Sequence, residues 1–143
     1  MSNFLSAEPV QNRIPERAVP ITEVRDGECE AVVADVEGVT QATITGSVDA
    51  ASIDDFTGHL AAACAAGTGR LVLDMSDVDF LGVDGIAALH AAARTVSNSG
   101  GAIAVAGGRA VARPLRRTGI TRLVPVFDWL PMAFDAVGGT APA

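Results

Sequence analysis

Asp74, Asp77 and Asp79 form the densest group of side chains in the sequence that could perform chemistry. They follow an apolar run, so their carboxylates are expected at the end of a buried strand, where they could hold Mg²⁺ or accept a phosphoryl group. A phosphoryl-accepting receiver site also needs a lysine to neutralise the transferred group. The chain has no lysine, because all 10 of its basic residues are arginine. The pattern therefore disfavours a receiver site, and three carboxylates on a loop are a weak metal site.

Two histidines and two cysteines are the other residues whose types suggest catalysis or metal binding. His59 and His90 are far apart in the sequence, and neither forms a recognisable pair with a serine or cysteine nucleophile. Cys29 and Cys64 fit no metal-ligand spacing. We expect reduced thiols, with a regulatory disulfide between them as the open alternative. The chain is therefore not expected to be an enzyme or to hold a metal or cofactor.

Basic residues are concentrated near the C-terminal end of the chain. One interpretation is a solvated helix face that balances an acidic protein. The other is a site for an acidic partner surface or for the phosphates of a nucleotide. No glycine-rich Walker loop supports the nucleotide version. The window contains no acidic residue and holds five arginines, Arg109, Arg113, Arg116, Arg117 and Arg122.

The segment Arg70–Asn98 must position most of the candidate residues. Its apolar run Leu71–Leu73 predicts a strand that is buried on both faces. A short acidic connection follows, and Gly82-Val83-Asp84-Gly85 predicts a tight turn in which Asp84 caps a helix. One face of this helix is expected to lie on the sheet, through Ile86, Leu89, His90, Ala93 and Val96.

Strands and helices are predicted to alternate along the rest of the chain. Ala31–Asp35 and Gln41–Thr45 predict two antiparallel strands joined across Glu37-Gly38. Ser52 is predicted to cap the next helix, whose apolar face carries Ile53, Phe56, Leu60 and Cys64. The later elements are a strand at Ala102–Ala106, a helix at Ala110–Thr118, a strand at Leu123–Phe127 and a helix at Trp129–Val137. This order predicts a single α/β domain with a mostly parallel sheet, an N-terminal antiparallel hairpin and covering helices.

The composition is typical of one cytoplasmic domain. The 143 residues include 49% hydrophobic side chains and carry a net charge of −7, which argues against disorder and against nucleic acid as the main partner. No apolar run is long enough to span a bilayer, and no signal peptide is recognisable. We divide the chain into an N-terminal tail at 1–28, a domain at 29–138 and a C-terminal tail at 139–143. Within the first tail, Val19, Ile21 and Val24 could form an edge strand.

Three segments of the chain resemble the STAS domain, the fold of anti-sigma factor antagonists, and they occur in the family's order. The family shows an apolar strand ending in Leu-Asp, a hydrophobic pair, and Asp-Ser-Ser-Gly or Asp-Ser-Thr-Gly at a helix start. Leu73-Asp74 and Phe80-Leu81 match this pattern, whereas Gly82-Val83-Asp84-Gly85 keeps only the last glycine of the tetrad. Gly46-Ser47-Val48-Asp49 is similar to the family's Gly-Glu-Leu-Asp, and Pro114–Leu123 is similar to its C-terminal part.

The resemblance covers about residues 29–138 and implies a regulatory function through protein–protein contact. In the family, the second hydroxyl residue is phosphorylated by the anti-sigma factor, an ATP-binding kinase, and Asp84 stands at that position here. The implied activity is that of an anti-anti-sigma factor, which binds such an anti-sigma factor and so frees a sigma factor for transcription. The implied partner-binding residues are Gly82, Val83, Asp84, Gly85, Ile86, Ala87, Ala88, Ser47, Val48 and Asp49.

Two alternatives stay open beside this function. One is a structural STAS subunit of a larger assembly, such as a lipid-transport ATPase or a stress-signalling complex. The other is a nucleotide-sensing STAS domain that uses Arg109–Arg122. Direct binding to nucleic acid and insertion into a membrane are not expected, and a homodimer stays open. Because Asp84 has no hydroxyl, our hypothesis is that the protein binds a matching partner without control by phosphorylation.

Overall fold

A six-stranded mixed sheet runs through the part of the chain described by the structure, residues 19–26 and 29–138 of this computed structural model. The strands are β1 Val19–Asp26, β2 Cys29–Val36, β3 Val39–Val48, β4 Arg70–Leu81, β5 Ala102–Ala106 and β6 Val126–Phe127. They lie in chain order across the sheet, with β1–β3 antiparallel and β3–β6 parallel. The same residues form α1 Ile53–Ala65, α2 Val83–Asn98, α3 Arg109–Thr118, α4 Leu130–Ala136 and a 3₁₀ turn at Ile120–Arg122. The predicted α/β class is confirmed.

The hairpin between β2 and β3 closes on a two-residue turn. Glu37 and Gly38 both have positive φ angles, 54° and 87°, as a tight turn that matches the twist of the strands requires. The Gly38 amide also donates a hydrogen bond to Asp35 Oδ1 at 2.9 Å. The antiparallel pairing predicted from Glu37-Gly38 is therefore confirmed.

One edge strand of the sheet was only an option in the sequence and is present, whereas the other was predicted and is shorter than expected. The edge strand allowed at Val19, Ile21 and Val24 is present as β1 and pairs with β2. The strand predicted at Leu123–Phe127 is shorter and includes only Val126–Phe127. Leu123 closes the preceding 3₁₀ turn instead, because its amide donates a hydrogen bond to the Ile120 carbonyl. Residues 1–18, 27–28 and 139–143 lie outside the described residues, so the division into tails and a domain stays a prediction.

The two faces of the sheet bury cores of unequal size. The larger core lies under α1, α2 and α3, where Phe56, Leu89 and Leu115 pack against apolar side chains of β2–β5. The smaller core lies on the other face, where Phe134 of α4 belongs to a cluster with Val72. The continuous apolar run of β4 is thus buried from both sides, as its sequence predicts.

Helix α1 is held by polar contacts that the sequence pattern did not reveal. His59 is buried, and its Nε2 donates to the Cys29 carbonyl at 2.9 Å, which ties α1 to β2. Ser52 is the N-cap residue, as predicted, but its side chain makes no capping hydrogen bond, so only the predicted position is confirmed. Its hydroxyl donates instead to the Ser47 carbonyl at 2.6 Å and accepts the Asp49 amide at 3.0 Å.

Both cysteines are free thiols in the structure. Burial, followed by the nearby carboxylates of Asp55, Glu30 and Asp49, raises the pKa of the Cys29 thiol from 9.0 to about 11. Burial also raises the pKa of the Cys64 thiol. Because the thiolate is the reactive form, these raised pKa values make both thiols poor nucleophiles at neutral pH.

Strand β4 is longer than its sequence suggests. The acidic segment after Leu73 was predicted to be a connection, but the strand continues through it to Leu81. Strand β5 pairs with β4 only as far as Asp74, whereas β3 pairs with it to the end, across two register shifts. The ends of β3 and β4 therefore extend beyond β5 as a two-stranded ribbon, and α2 begins directly after this ribbon.

Gly85, in the first turn of α2, allows the helix to lie directly on the ends of β3 and β4. A β-carbon at this position would lie 2.5 Å from Val48 Cγ1 and 2.7 Å from Leu81 Cδ1, closer than real atoms approach. Since both contacts come from buried side chains, a larger residue here would displace the helix start from the strands. Only glycine fits without such a shift.

The core position of Leu89 gives a test of the helix assignment. We expect Leu89→Ala to lower the free energy of unfolding by about 2–5 kcal/mol, because the side chain is fully buried. Arg113→Ala, at an exposed position of α3, should change it by less than about 0.5 kcal/mol. Urea denaturation of both variants measures the difference, and small, equal effects would mean that the buried face of α2 is wrongly assigned.

The close packing of Gly85 gives a second test, for which α1 supplies a matched control. We expect Gly85→Ala to destabilise the fold by about 1–3 kcal/mol through overpacking. Gly58→Ala, at an exposed helical position with no atom within 4 Å of the added carbon, should stabilise it by about 0.5–1 kcal/mol. Opposite shifts of the urea midpoint are expected. A stabilising Gly85→Ala would contradict the packing described here.

Candidate functional site

The start of α2 is fixed by the backbone of Gly82. This residue is the N-cap, with an extended backbone at φ −87° and ψ 179°, and no side chain caps the helix. Its amide donates to the Val48 carbonyl at 2.9 Å, and its carbonyl accepts the Ile86 amide at 3.0 Å. The prediction that Asp84 caps the helix is wrong, because Asp84 lies inside the first turn. Its negative charge is still favourable near the positive end of the helix dipole.

Two large apolar side chains are exposed beside this helix start. Val83 is 81% exposed and Phe80 is 52% exposed, whereas Leu81 between them is buried. The Phe80 ring lies over Gly82, with its Cε2 atom 3.1 Å from the place of a Gly82 β-carbon. Apolar side chains that face solvent next to polar ones make this helix start a candidate interaction site.

The sequence identifies Phe80 only as part of a hydrophobic pair and does not indicate that its side chain is exposed at this site. Strand alternation does not mark Phe80 as exposed, because from Val78 to Leu81 the residues are buried, exposed, exposed and buried. A register shift in the pairing with β3 accompanies this break in the alternation, and such a shift leaves no signal in the sequence.

Carboxylates surround the apolar pair. Asp84 is exposed on α2, and Asp79 Oδ1 accepts a 2.6 Å hydrogen bond from the Ser47 hydroxyl on the neighbouring strand. Asp49 Oδ1 accepts the amides of Ala51 and Ser52 and so orders the loop after β3. Segments 46–49 and 76–88 contain no basic residue. The helix start therefore presents an apolar centre with an acidic rim.

The ten residues predicted to contact a partner lie together, but with different exposure. Val48 and Gly85 are buried, so we assign them to positioning the surface rather than to contact. The remaining residues are accessible to different extents. Exposed are Val83, Asp84 and Ala87, and half-buried are Gly82, Ile86, Ala88, Ser47 and Asp49.

The three aspartates of the acidic segment do not converge on one site. Asp74 is fully buried, and its Oδ1 accepts the Ser76 amide at 3.2 Å and the Ser76 hydroxyl at 2.7 Å. Asp77 is exposed, and Asp79 accepts a hydrogen bond from the Ser47 hydroxyl. Within the described residues, no three acidic, histidine or cysteine side chains are grouped so that they could hold a metal ion. The receiver-type arrangement considered for the sequence is therefore not formed by these three residues.

The other candidate residues lie away from the start of α2. His90 is half-buried on α2, and His59 is bonded to a backbone carbonyl in the core. A cavity of about 280 Å³ lies near the opposite end of β4, where Cys64, Arg70 and Thr95 are among its lining residues. In the described part of the chain, no helix has the length and apolar character needed to cross a bilayer.

Comparison with known proteins identifies the family to which this chain belongs. The STAS domain profile matches residues 30–133. A crystal structure of an anti-sigma factor antagonist from Mycobacterium paratuberculosis is 27% identical, with a TM-score of 0.71 over 80% of this chain and 99% of that chain. A crystal structure of a putative anti-sigma factor antagonist from Thermotoga maritima is 19% identical, with a TM-score of 0.63 over 74% and 92% of the two chains, and supports the fold. No curated protein sequence matches the chain. The match to the profile extends over most of the sequence, and the chain belongs to the STAS domain family.

Proposed function

We propose that this protein is an anti-anti-sigma factor, which binds an anti-sigma factor of the ATP-binding kinase type and so frees a sigma factor for transcription. The family match supports this function, as does the similarity to the mycobacterial anti-sigma factor antagonist over nearly its whole length. The protein would act by occupying its partner, without a catalytic step of its own.

The observation that carries the proposal is the exposed pair Val83 and Phe80 beside the exposed carboxylate of Asp84. Burying a valine or phenylalanine side chain in a protein interface contributes about 1.5–3 kcal/mol. Leaving two such side chains in water is unfavourable for a free protein, but it suits a surface that a partner covers. The acidic rim favours a partner whose pocket is apolar at the centre and basic at its edge.

Asp84 replaces the residue that related proteins use as a phosphoacceptor, and its charge differs from that of a phosphoserine. A phosphoserine carries about −1.5 to −2 charges and three acceptor oxygens. An aspartate carries one charge on a shorter side chain, and the N-terminus of α2 stabilises that charge locally. We therefore infer that Asp84 is an incomplete mimic of the phosphorylated state and that binding is not controlled by phosphorylation. With Gly82 and Val83 also departing from the family tetrad, we expect weak binding to the family's usual partners.

Titration of one candidate anti-sigma factor tests the role of Asp84. We expect Asp84→Ala and wild type to bind with affinities within about tenfold of each other, which is about 1.4 kcal/mol. Val83→Ser should weaken binding by about tenfold or more, because it removes an apolar contact. Trp129→Ser is the control, since Trp129 is also exposed, at 62%, but lies outside the proposed surface, directly before α4. An Asp84→Ala variant that binds at least tenfold tighter would mean that Asp84 holds the protein in an off state.

Incubation with a kinase-type partner and ATP tests the loss of phosphocontrol. We expect no phosphate on wild-type α2, and phosphorylation of the Asp84→Ser variant at the restored hydroxyl. Along the sequence, the nearest hydroxyl before the turn is that of Ser76, which donates a hydrogen bond to Asp74, and the nearest after it is that of Thr95, which donates to the Ala91 carbonyl. Phosphopeptide mapping distinguishes the sites, and stoichiometric phosphate on wild-type Ser76 would contradict the proposal.

A further inference from the structure

Half of the basic residues of this acidic protein lie on α3 and the turn that follows it. We call Arg109, Arg113, Arg116, Arg117 and Arg122 the arginine face. All five are exposed, and none of their side chains forms a hydrogen bond or ion pair with another described residue. Residues 85–127 contain no carboxylate side chain at all. The arginine face is therefore an uncompensated positive surface on a chain whose net charge is −7.

The spacing of the arginines places like charges next to each other. Arg109 and Arg113, and likewise Arg113 and Arg117, are four residues apart, so they are neighbours on the exposed side of α3. The opposite side of the helix is buried through Val111 and Leu115. Like charges at this spacing destabilise a helix, so the arginine face does not exist for the stability of α3.

The position of Arg109 leads to the same conclusion. It is the first residue of α3, where the helix dipole disfavours a positive charge, and no acidic residue lies in the first turn. Arg116 and Arg117 lie in the last turn, where the dipole does favour them. The helix dipole therefore favours the positive charges of Arg116 and Arg117 and disfavours that of Arg109.

We propose that the arginine face binds an acidic protein surface. A guanidinium group is planar and can donate two parallel hydrogen bonds to one carboxylate, so a row of arginines on one helix face matches a row of carboxylates on a partner. Such a partner would relieve the repulsion among Arg109, Arg113 and Arg117. Since the surface at the start of α2 is acidic, it would repel the same partner, and the two surfaces bind different molecules.

Other anionic ligands fit the arginine face less well. The exposed side of α3 offers no large apolar residue that could enter a membrane interface, only Ala110 and Thr118 beside the arginines. No aromatic residue between Arg109 and Val126 could stack on a nucleic-acid base. A convex helix face does not enclose a nucleotide as a pocket does.

The experiment measures binding of a fluorescent helical peptide that carries glutamates four residues apart, with its glutamine counterpart as the uncharged probe. Arg113→Gln/Arg117→Gln is compared with Arg70→Gln/Arg94→Gln, since both double variants lose two exposed arginines and change the net charge equally. We expect the first double variant to bind the glutamate peptide about tenfold or more weakly than wild type, and the second to bind within twofold. The thermal midpoint of Arg113→Gln/Arg117→Gln should lie close to that of wild type, because the loss of like-charge repulsion offsets the loss of the favourable interaction of Arg117 with the helix dipole.

The other outcomes overturn the proposal. Equal losses in the two double variants would mean that only the overall charge matters. Equal binding of the glutamate and glutamine peptides would exclude recognition of carboxylates. Tighter binding of ATP, a single-stranded RNA or phosphatidylserine vesicles at the same salt concentration would assign the arginine face to phosphates instead.

Discussion

The contact of Gly85 with Val48 and Leu81 is the constraint on which the candidate surface depends. Because no side chain separates the first turn of α2 from the ends of β3 and β4, the Gly82 amide reaches the Val48 carbonyl. The helix therefore begins at a fixed place and in a fixed direction. Val83 and Asp84, the first two residues of the helix, then face solvent, as does Phe80 on the strand. The close packing and the hydrogen bond therefore determine where the surface residues of the helix start lie before any partner is bound.

Most of the fold follows from local signals in the sequence. The apolar run before Asp74 predicts a buried strand and Glu37-Gly38 predicts a hairpin turn. Each signal lies within a few residues, and both predictions are confirmed. The second half of β4 could not be predicted, because aspartate and serine are poor strand formers. What makes this segment a strand is its pairing with β3, a contact between residues far apart in the sequence, and the register shifts that accommodate it are not encoded by any simple period.

The candidate site was predicted in outline but not in its physical detail. The tetrad Gly82-Val83-Asp84-Gly85 indicates the start of α2, yet a carboxylate near a helix start suggests a cap, and the structure gives the N-cap position to Gly82. Burial separates residues that look equivalent in the sequence. Val48 is in the core and Phe80 is in solvent, because the ribbon of β3 and β4 has one covered and one open side. Only the packing of the helices on the sheet decides which side is covered.

The starts of α2 and α3 carry opposite charges, and they can be compared directly because both helices begin at the same edge of the sheet. Both helices follow neighbouring parallel strands, β4 and β5, so their positive N-terminal ends lie toward the same edge. At one of these ends the chain places Asp84, which the dipole stabilises, and at the other Arg109, which it does not. A sequence shaped by stability alone would place acidic residues at both. Arg113 and Arg117 continue the positive charge along the exposed side of α3, where neighbouring like charges repel each other, so the charge belongs to a whole surface rather than to one residue. Positive charge held against the local field in this way is best explained by a negative ligand that compensates it.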